Sequence, residues 1–155
     1  MTDHATRLVI ALGADHAGFP LKEALVKHAR AKGLDVIDLG TDSTEPVDYP
    51  DLAARVAEAV ASGRASRGVL VCGSAIGMCI AANRYRKIRA AALRDEFDAR
   101  MSREHNDANV ACFGARVTPE QESKRLLDLW LATAFAGGRH ARRVGKIDGE
   151  EKMPR

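Results

Sequence analysis

The chain has 155 residues, the length of one ordinary domain, and can bury a hydrophobic core without disulfides or a structural metal. Hydrophobic residues make up 46% and charged residues 29% of the chain, which excludes a disordered or fibrous protein. The formal net charge of +3 is small, but basic residues cluster at 84–89 and 139–146 and suit either an anionic partner or a solvated surface.

The sequence also indicates where the protein works. No run of about 18 apolar residues is present to span a membrane, and the N-terminal MTDHATR lacks the basic-then-apolar pattern of a signal peptide. Three cysteines, Cys72, Cys79 and Cys112, fit free thiols in a reducing compartment better than a disulfide framework. We therefore expect a soluble, cytoplasmic protein with no membrane partner.

Short apolar runs rich in β-branched residues alternate along the chain with longer segments of helical spacing. In chain order the predicted elements are strand 8–12, helix 20–32, strand 36–39, helix 50–62, strand 69–72, helix 75–84, strand 90–93, helix 95–105, strand 110–113 and helix 119–135. Pro20 and Pro119 take first helical positions, Thr118 with Gln121 forms a capping-box pattern, and Gly33 ends the first helix.

This alternation predicts a single-domain α/β fold of the doubly wound, Rossmann-like type. Its five-stranded parallel sheet carries helices on both faces, because the crossover connections are right-handed and the strands are apolar on both sides. We expect residues 1–155 to form this one domain. The basic segment 137–147 predicts a C-terminal extension helix, and the polar tail 148–155 is expected to be frayed.

Ligands of such folds bind at the carboxyl ends of the strands, so the residues that follow each strand are the candidates for chemistry. The segment 73–77, GSAIG, follows the third strand and opens a helix, which predicts a cradle of backbone N–H groups for an anionic oxygen. It is neither GxxxxGK[ST] nor GxGxxG, which argues against a nucleoside triphosphate or a dinucleotide. Cys72 directly precedes the cradle, either as a thiolate base favoured by the helix dipole or as a small buried hydrophobe.

Other polar residues are placed to join this site. Asp15 and His16 follow the first strand, and His105 stands at the end of the fourth helix, where a histidine is often only a cap. A metal site formed by Asp15, His16, His105 and Cys72 is conceivable, but no pair of them has characteristic metal-ligand spacing, so none is expected. Arg139 and Arg143 are spaced i, i+4 and can grip one phosphate from one helix face, unless they only form a solvated basic helix.

Six stretches between residues 13 and 144 resemble, in the same order, the ribose-5-phosphate isomerase B and galactose-6-phosphate isomerase family: GADHAGFPLK, DLGTDS, VDYPD, VCGSAIGMCIAANR, SREHNDANVACFGARV and GGRHARRV. The resemblance implies an aldose-ketose isomerase that acts on a phosphorylated sugar through a cis-enediol intermediate, with neither a metal nor an organic cofactor. It also implies a homodimer, often paired into a tetramer, in which the partner subunit completes each site.

The resemblance assigns a role to each motif residue. Cys72 would be the base that moves the proton between C2 and C1, since Met78 stands where other members carry a glutamate base. Ser74 and the cradle N–H groups would stabilise the enediolate, His105 would assist ring opening, and Asp15 would hold a sugar hydroxyl. The implied substrate-binding residues are His16, Tyr49, Gly73, Ala75, Ile76, Gly77, Asn106, Arg116, Arg139, His140 and Arg143, of which His140 also assists ring opening.

One departure from the family concerns Ala75, where many relatives have glycine; the loop keeps its shape if Ala75 is helical. The simplest substrate is ribose 5-phosphate, with a four- or six-carbon sugar phosphate as the alternative. A non-catalytic phosphate-binding module on the same scaffold is the alternative from another class. Nucleic acid is not expected as a partner, because the basic clusters lack interleaved aromatic residues and a recognisable reading motif.

Overall fold

A computed structural model of the chain describes residues 7–149. Strands and helices alternate throughout this range, as the hydrophobic pattern predicts. The elements are β1 (Val9–Ala14), α1 (Phe19–Ala31), β2 (Asp35–Asp38), α2 (Tyr49–Ala61), β3 (Arg67–Cys72), α3 (Ile76–Ala82), β4 (Ala90–Ala92), α4 (Glu96–Glu104), β5 (Val110–Gly114), α5 (Glu120–Ala132) and α6 (Arg139–Asp148).

The five strands form one parallel sheet in the order β2-β1-β3-β5-β4. Strand order reverses beside β1 and β3, so the crossover helices are distributed over both faces, and the predicted doubly wound α/β fold is confirmed. The register pairs Ala14 with Val71 and Cys72 with Gly114, which brings the carboxyl ends of β1, β3 and β5 together at one edge of the sheet.

Alternate residues of the central strands pack on opposite faces of the sheet. Val69 and Val71 of β3 lie in a core cluster formed with α1, α4 and α5, whereas Leu70 and Cys72 lie in a second cluster formed with α2 and α3. A strand covered on both faces is fixed firmly. Whatever side chain stands at its end is therefore held in a defined position.

The predicted capping box at α5 is wrong. Pro119 occupies the N-cap position of α5 and makes no side-chain cap bond, so Thr118 stands one residue too early for its hydroxyl to cap the helix. Thr118 is buried instead, and its carbonyl accepts a hydrogen bond from the Ser123 hydroxyl. Gly33 follows the C-cap of α1 with a φ of +80°, as predicted for a residue that ends a helix.

The C-terminal extension helix is present as α6, and it continues through Asp148, where the sequence predicted a frayed tail. Asp148 is tied to the body of the protein, since the Arg89 guanidinium donates to both of its carboxylate oxygens. The rest of the predicted tail, residues 150–155, lies outside the described residues. Within residues 7–149, no helix has the length and apolar character needed to cross a membrane.

Candidate active site

A pocket of about 200 Å³ opens at the carboxyl edge of the sheet, where β1 and β3 end and α2 and α3 begin. It is the edge at which doubly wound folds bind ligands. The lining residues are Asp15, His16, Ala17, Tyr49, Cys72, Gly73, Ser74, Gly77 and Arg116. All of them except Ala17 were predicted as site residues, so the fold gathers most of the catalytic motif in one place.

Asp15 is held by the turn that follows β1. Its backbone N–H donates to the Val71 carbonyl at 3.2 Å, and its carboxylate Oδ1 accepts the Gly18 N–H at 2.9 Å. Position 18 in this turn must be glycine, because a Cβ there would lie 2.3 Å from the Val71 carbonyl oxygen. Asp15 is therefore fixed on the strand next to Cys72.

Lys22 stabilises this turn through Asp38 and Gly40. It was not among the predicted site residues. Its ammonium is 1% exposed and donates to Asp38 at 2.7 Å, while the same Asp38 oxygen accepts the Gly40 N–H at 3.0 Å. The Gly40 carbonyl in turn accepts the N–H of Ala14, the residue before Asp15. Lys22 could have been identified from the sequence by its position on the apolar face of α1, beside Leu21, Leu25 and Val26.

His16 and Tyr49 form one wall of the pocket. The His16 Nδ1 accepts the Val47 N–H at 3.1 Å, so the proton of its ring lies on Nε2, which can donate to a substrate oxygen. Tyr49, the first residue of α2, packs over Gly77, where a Cβ would lie only 2.7 Å from the ring. Glycine at position 77 therefore allows the tyrosine to approach the first turn of α3.

Cys72 is the last residue of β3 and is 4% exposed. The segment after β5 locks the turn that follows it, since the N–H of Ala115 donates to the Cys72 carbonyl and the N–H of Arg116 donates to the Gly73 carbonyl. The Arg116 guanidinium lies over Gly73, where a Cβ would be 3.0 Å from Nη1. Within residues 7–149 Arg116 has no carboxylate partner, which leaves its charge to an anionic ligand.

The first turn of α3 supplies hydrogen-bond donors beside Cys72. The Ser74 Oγ accepts the Ile76 N–H at 3.2 Å, so the serine proton remains to donate. The N–H groups of Gly77 and Met78 precede the first helical bond, which joins Cys79 to Ala75, and have no acceptor in the helix. These donors are available for the anionic ligand that the sequence predicts at this turn.

Ala75, expected to be helical, is not: its φ of +72° and ψ of −17° lie in the left-handed region. Alanine has a Cβ and is strained there, whereas glycine is not. Ala75 is buried and Ile76 is exposed, and neither lines the pocket, although both were predicted to bind substrate. Met78 is fully buried in the core.

We expect Ala75→Gly to stabilise the protein by about 1 kcal/mol, because relief of the left-handed strain exceeds the loss of one buried methyl group and the greater freedom of the unfolded chain. Urea unfolding of the two proteins measures the difference. Ala81→Gly, in the helical part of α3, is the matched control and should destabilise. A loss of stability in both variants would contradict the left-handed conformation of Ala75.

Cys79, on α3, and Cys112, on β5, form a thiol pair between the helix and the sheet. A hydrogen bond from Cys112 lowers the pKa of the Cys79 thiol to about 7, although partial burial opposes the shift. The same hydrogen bond, together with complete burial, raises the pKa of Cys112. The Asn83 amide also donates to the Cys79 sulfur at 3.6 Å.

Alkylation by iodoacetamide should therefore report Cys79 at neutral pH. The thiolate is the reactive form, so its rate should rise with pH and reach half of its maximum at about pH 7. Cys112→Ala removes the hydrogen-bond donor and should move this midpoint toward the ordinary thiol value. Mass spectrometry of the labelled Cys79 peptide at a series of pH values gives the midpoint for wild type and for Cys112→Ala. The same midpoint in both proteins would show that Cys112 does not control the reactivity of Cys79.

A second group of predicted site residues lies elsewhere. The rings of His105 and His140 stack with their centroids 4.3 Å apart and their planes 10° from parallel. Burial lowers the pKa of His140, and the neighbouring charges of His105, Arg139 and Arg143 lower it further. A neutral imidazole at this place can exchange a proton with a substrate oxygen near neutral pH.

These residues lie at the amino edge of the sheet, opposite Cys72. His105 caps the end of α4 and leads into β5, whose last residue, Gly114, pairs with Cys72. Over β5 alone the chain rises about 13 Å. Asn106 lines a different pocket at this edge, beside Arg84 and Arg89. One subunit therefore does not join His105, Asn106, Arg139, His140 and Arg143 to the Cys72 pocket.

The same separation bears on the metal site that the sequence left conceivable. Of its four candidate ligands, Asp15, His16 and Cys72 share the pocket, but His105 lies at the other edge. Within residues 7–149, no three His, Cys, Asp or Glu side chains are grouped closely enough to hold a metal ion.

The sequence pattern of the Ribose/Galactose Isomerase family matches residues 10–147. Over 143 residues the chain is 46% identical to ribose-5-phosphate isomerase B of Escherichia coli, which covers 92% of this chain and 96% of that protein. It is 43% identical over 141 residues to D-erythrulose-4-phosphate isomerase of Pectobacterium atrosepticum, covering 90% and 93%. Its fold matches ribose-5-phosphate isomerase B of Clostridium thermocellum with a TM-score of 0.91 and 48% identity, over 94% and 98%. The chain belongs to the ribose/galactose isomerase family.

Proposed function

We propose that the protein interconverts ribose 5-phosphate and ribulose 5-phosphate, with Cys72 as the base. Family membership makes it an aldose-ketose isomerase of phosphorylated sugars. The observation that carries the finer assignment is the pocket in which Cys72 stands between the Asp15 carboxylate and the first turn of α3. The free thiols also support a cytoplasmic location, where thiols remain reduced.

The proposed chemistry moves one proton between neighbouring carbons. The Cys72 thiolate takes the proton from C2 of the open-chain aldose and returns it to C1, while the hydroxyl proton of O2 passes to O1. The enediolate intermediate therefore carries its negative charge first on O1 and then on O2, which becomes the ketone oxygen. The Ser74 hydroxyl and the free N–H groups of the first turn of α3 are placed to donate to the charged oxygen. One such donor contributes about 3 kcal/mol of transition-state stabilisation.

The remaining pocket residues orient the sugar. The Asp15 carboxylate accepts a sugar hydroxyl, the His16 Nε2–H donates to another oxygen, and Arg116 supplies a positive charge without a carboxylate partner among residues 7–149. Such fixed contacts hold C2 against the thiolate and lower the entropic part of the barrier.

We propose that a second subunit completes each site, because ring opening and phosphate binding need the residues at the amino edge. The face of α3 supports this arrangement: Ile76 and Ile80 lie one turn apart and are 63% and 64% exposed. Large apolar side chains at this exposure mark a surface that a partner covers. In an isologous dimer with antiparallel α3 helices, the start of one α3 meets the amino edge of the other subunit.

In this homodimer, which can pair further into a tetramer, the partner subunit's His105 and His140 reach the ring oxygen of the sugar. The exposed guanidinium groups of the partner's Arg139 and Arg143, one helical turn apart, bind the phosphate with Arg116. The partner's Asn106 contacts a hydroxyl beside them. Neutral His140 suits this role, since burial and the neighbouring positive charges oppose its protonation.

A panel of sugar phosphates tests the substrate. We expect kcat/KM to be highest for ribose 5-phosphate and about tenfold or more lower for erythrulose 4-phosphate, allose 6-phosphate and galactose 6-phosphate, since one carbon changes the distance between phosphate and C2. The erythrulose-4-phosphate isomerase relative makes the four-carbon sugar the main alternative. A preference for that sugar would overturn the five-carbon assignment and leave the isomerase chemistry standing.

A further inference from the structure

Helix α6 carries the proposed phosphate-binding arginines, yet it has little core of its own. Of its ten residues, Arg139–Asp148, only His140 and Val144 are buried. A short helix with so little apolar burial is held in place mainly by the contacts at its ends. Its first turn has one such contact, the stack of His140 on His105.

The last described residue of α6, Asp148, forms an ion pair with Arg89. The Arg89 Nη1 donates to both oxygens of Asp148, at 2.9 Å and 2.7 Å. The two side chains are 14% and 20% exposed, so solvent screens the pair only in part. Charge-assisted hydrogen bonds from one nitrogen to both carboxylate oxygens hold the two side chains at short distance.

Arg89 is itself fixed from the side of α4. Its Nε donates to the Asp107 carbonyl at 3.0 Å, and its backbone N–H donates to the Asn109 side chain at 2.8 Å. The Asp107 carboxylate accepts from Arg103 at 2.7 Å, and Arg103 also donates to the Ala108 carbonyl. The network therefore begins in α4, passes through the segment that follows His105, and ends on α6.

We infer that Asp148 is a positioning residue: its ion pair with Arg89 fixes α6 at the angle that presents Arg139 and Arg143 to the substrate phosphate. Asp148 touches no substrate in this arrangement. The inference rests on the proposed function for the identity of the anion, but the anchoring of α6 can be measured without any turnover.

The test replaces Asp148 by asparagine, which keeps the size and removes the charge. We expect backbone amides of α6 to exchange with deuterium about tenfold faster, and the Kd for inorganic phosphate to rise about fivefold to tenfold. KM for ribose 5-phosphate should rise by a similar factor while kcat changes less than about twofold, because Cys72 is untouched. Asp148→Glu keeps a carboxylate and should recover part of each loss.

Asp128→Asn is the matched control, since Asp128 bonds to His28 at 2.8 Å on another part of the surface. Unchanged exchange in α6 of Asp148→Asn, or an unchanged Kd for phosphate, would overturn the inference. An equal effect of Asp128→Asn would also overturn it, because the faster exchange would then reflect a general loss of stability. Faster exchange and weaker phosphate binding in a protein that does not isomerise ribose 5-phosphate would uphold the anchor and count against the proposed function alone.

Discussion

Cys72→Ala is expected to lower kcat by about 10³-fold or more, because a positioned base contributes up to about 10⁴-fold to proton transfer and water cannot take its place at the end of β3. Binding should be largely spared, since alanine fills most of the same space and the proposed phosphate contacts belong to Arg116 and to arginines of the second subunit. Initial rates with ribose 5-phosphate and the Kd for inorganic phosphate measure the two effects separately.

Cys79→Ser is the matched control for this experiment. Cys79 lies on α3, the helix that follows Cys72, and its pKa is lowered to about 7, so it is the alternative candidate for the base. It does not line the pocket, and its loss should leave kcat within about twofold. Residual activity of Cys72→Ala close to wild type, or inactivation by Cys79→Ser alone, would remove Cys72 from the mechanism. A non-catalytic phosphate-binding module would bind phosphate equally in all three proteins and show no turnover.

Mixed dimers of two inactive variants are expected to regain activity. In the proposed dimer, Cys72→Ala damages the pocket on its own subunit, whereas His105→Ala damages the site that the subunit completes for its partner. A dimer with one chain of each variant has one intact site, since the His105→Ala chain supplies Cys72 and the Cys72→Ala chain supplies His105. Random mixing of equal amounts should therefore restore about a quarter of the wild-type activity.

The control for mixing pairs Cys72→Ala with Arg116→Ala. Both residues line the same pocket of the same subunit, so every site in that mixture keeps one defect and no activity should return. Rates are measured after the two variants are unfolded together and refolded, with each variant treated alone as a blank. Recovery in the Arg116 mixture, or none in the His105 mixture, would contradict a site shared between subunits.

The parts of the fold that depend on the hydrophobic pattern can be predicted from the sequence. Short apolar runs rich in β-branched residues, followed by segments of helical spacing, place Cys72 at the end of a strand and the predicted anion cradle at the start of a helix. A parallel sheet then gathers Asp15, Cys72 and Arg116 at one edge. The position of His105 also follows from topology, because the end of a crossover helix lies at the opposite edge. The order of the motifs along the sequence does not show that His105 and Cys72 lie at opposite edges. Only the second subunit implied by the family resemblance takes this separation into account.

What could not be predicted depends on tertiary contacts. The left-handed conformation of Ala75 is imposed by the turn between β3 and α3, against the preference of alanine. Pro119 moves the start of α5 and deprives Thr118 of its capping role. The pKa of Cys79 is lowered by a hydrogen bond from Cys112, which lies on β5 and is distant in sequence. The end of α6 is likewise held by a distant side chain, that of Arg89.

In the proposed mechanism, Cys72 moves a proton between C2 and C1 of ribose 5-phosphate. Proton NMR of the purified protein with this sugar in D2O tests it most directly, by following ketose formation and deuterium entry at the position of the migrating proton. We expect both to occur with wild type and neither with Cys72→Ala. Folded wild-type protein that gives neither ketose nor deuterium incorporation would contradict this mechanism.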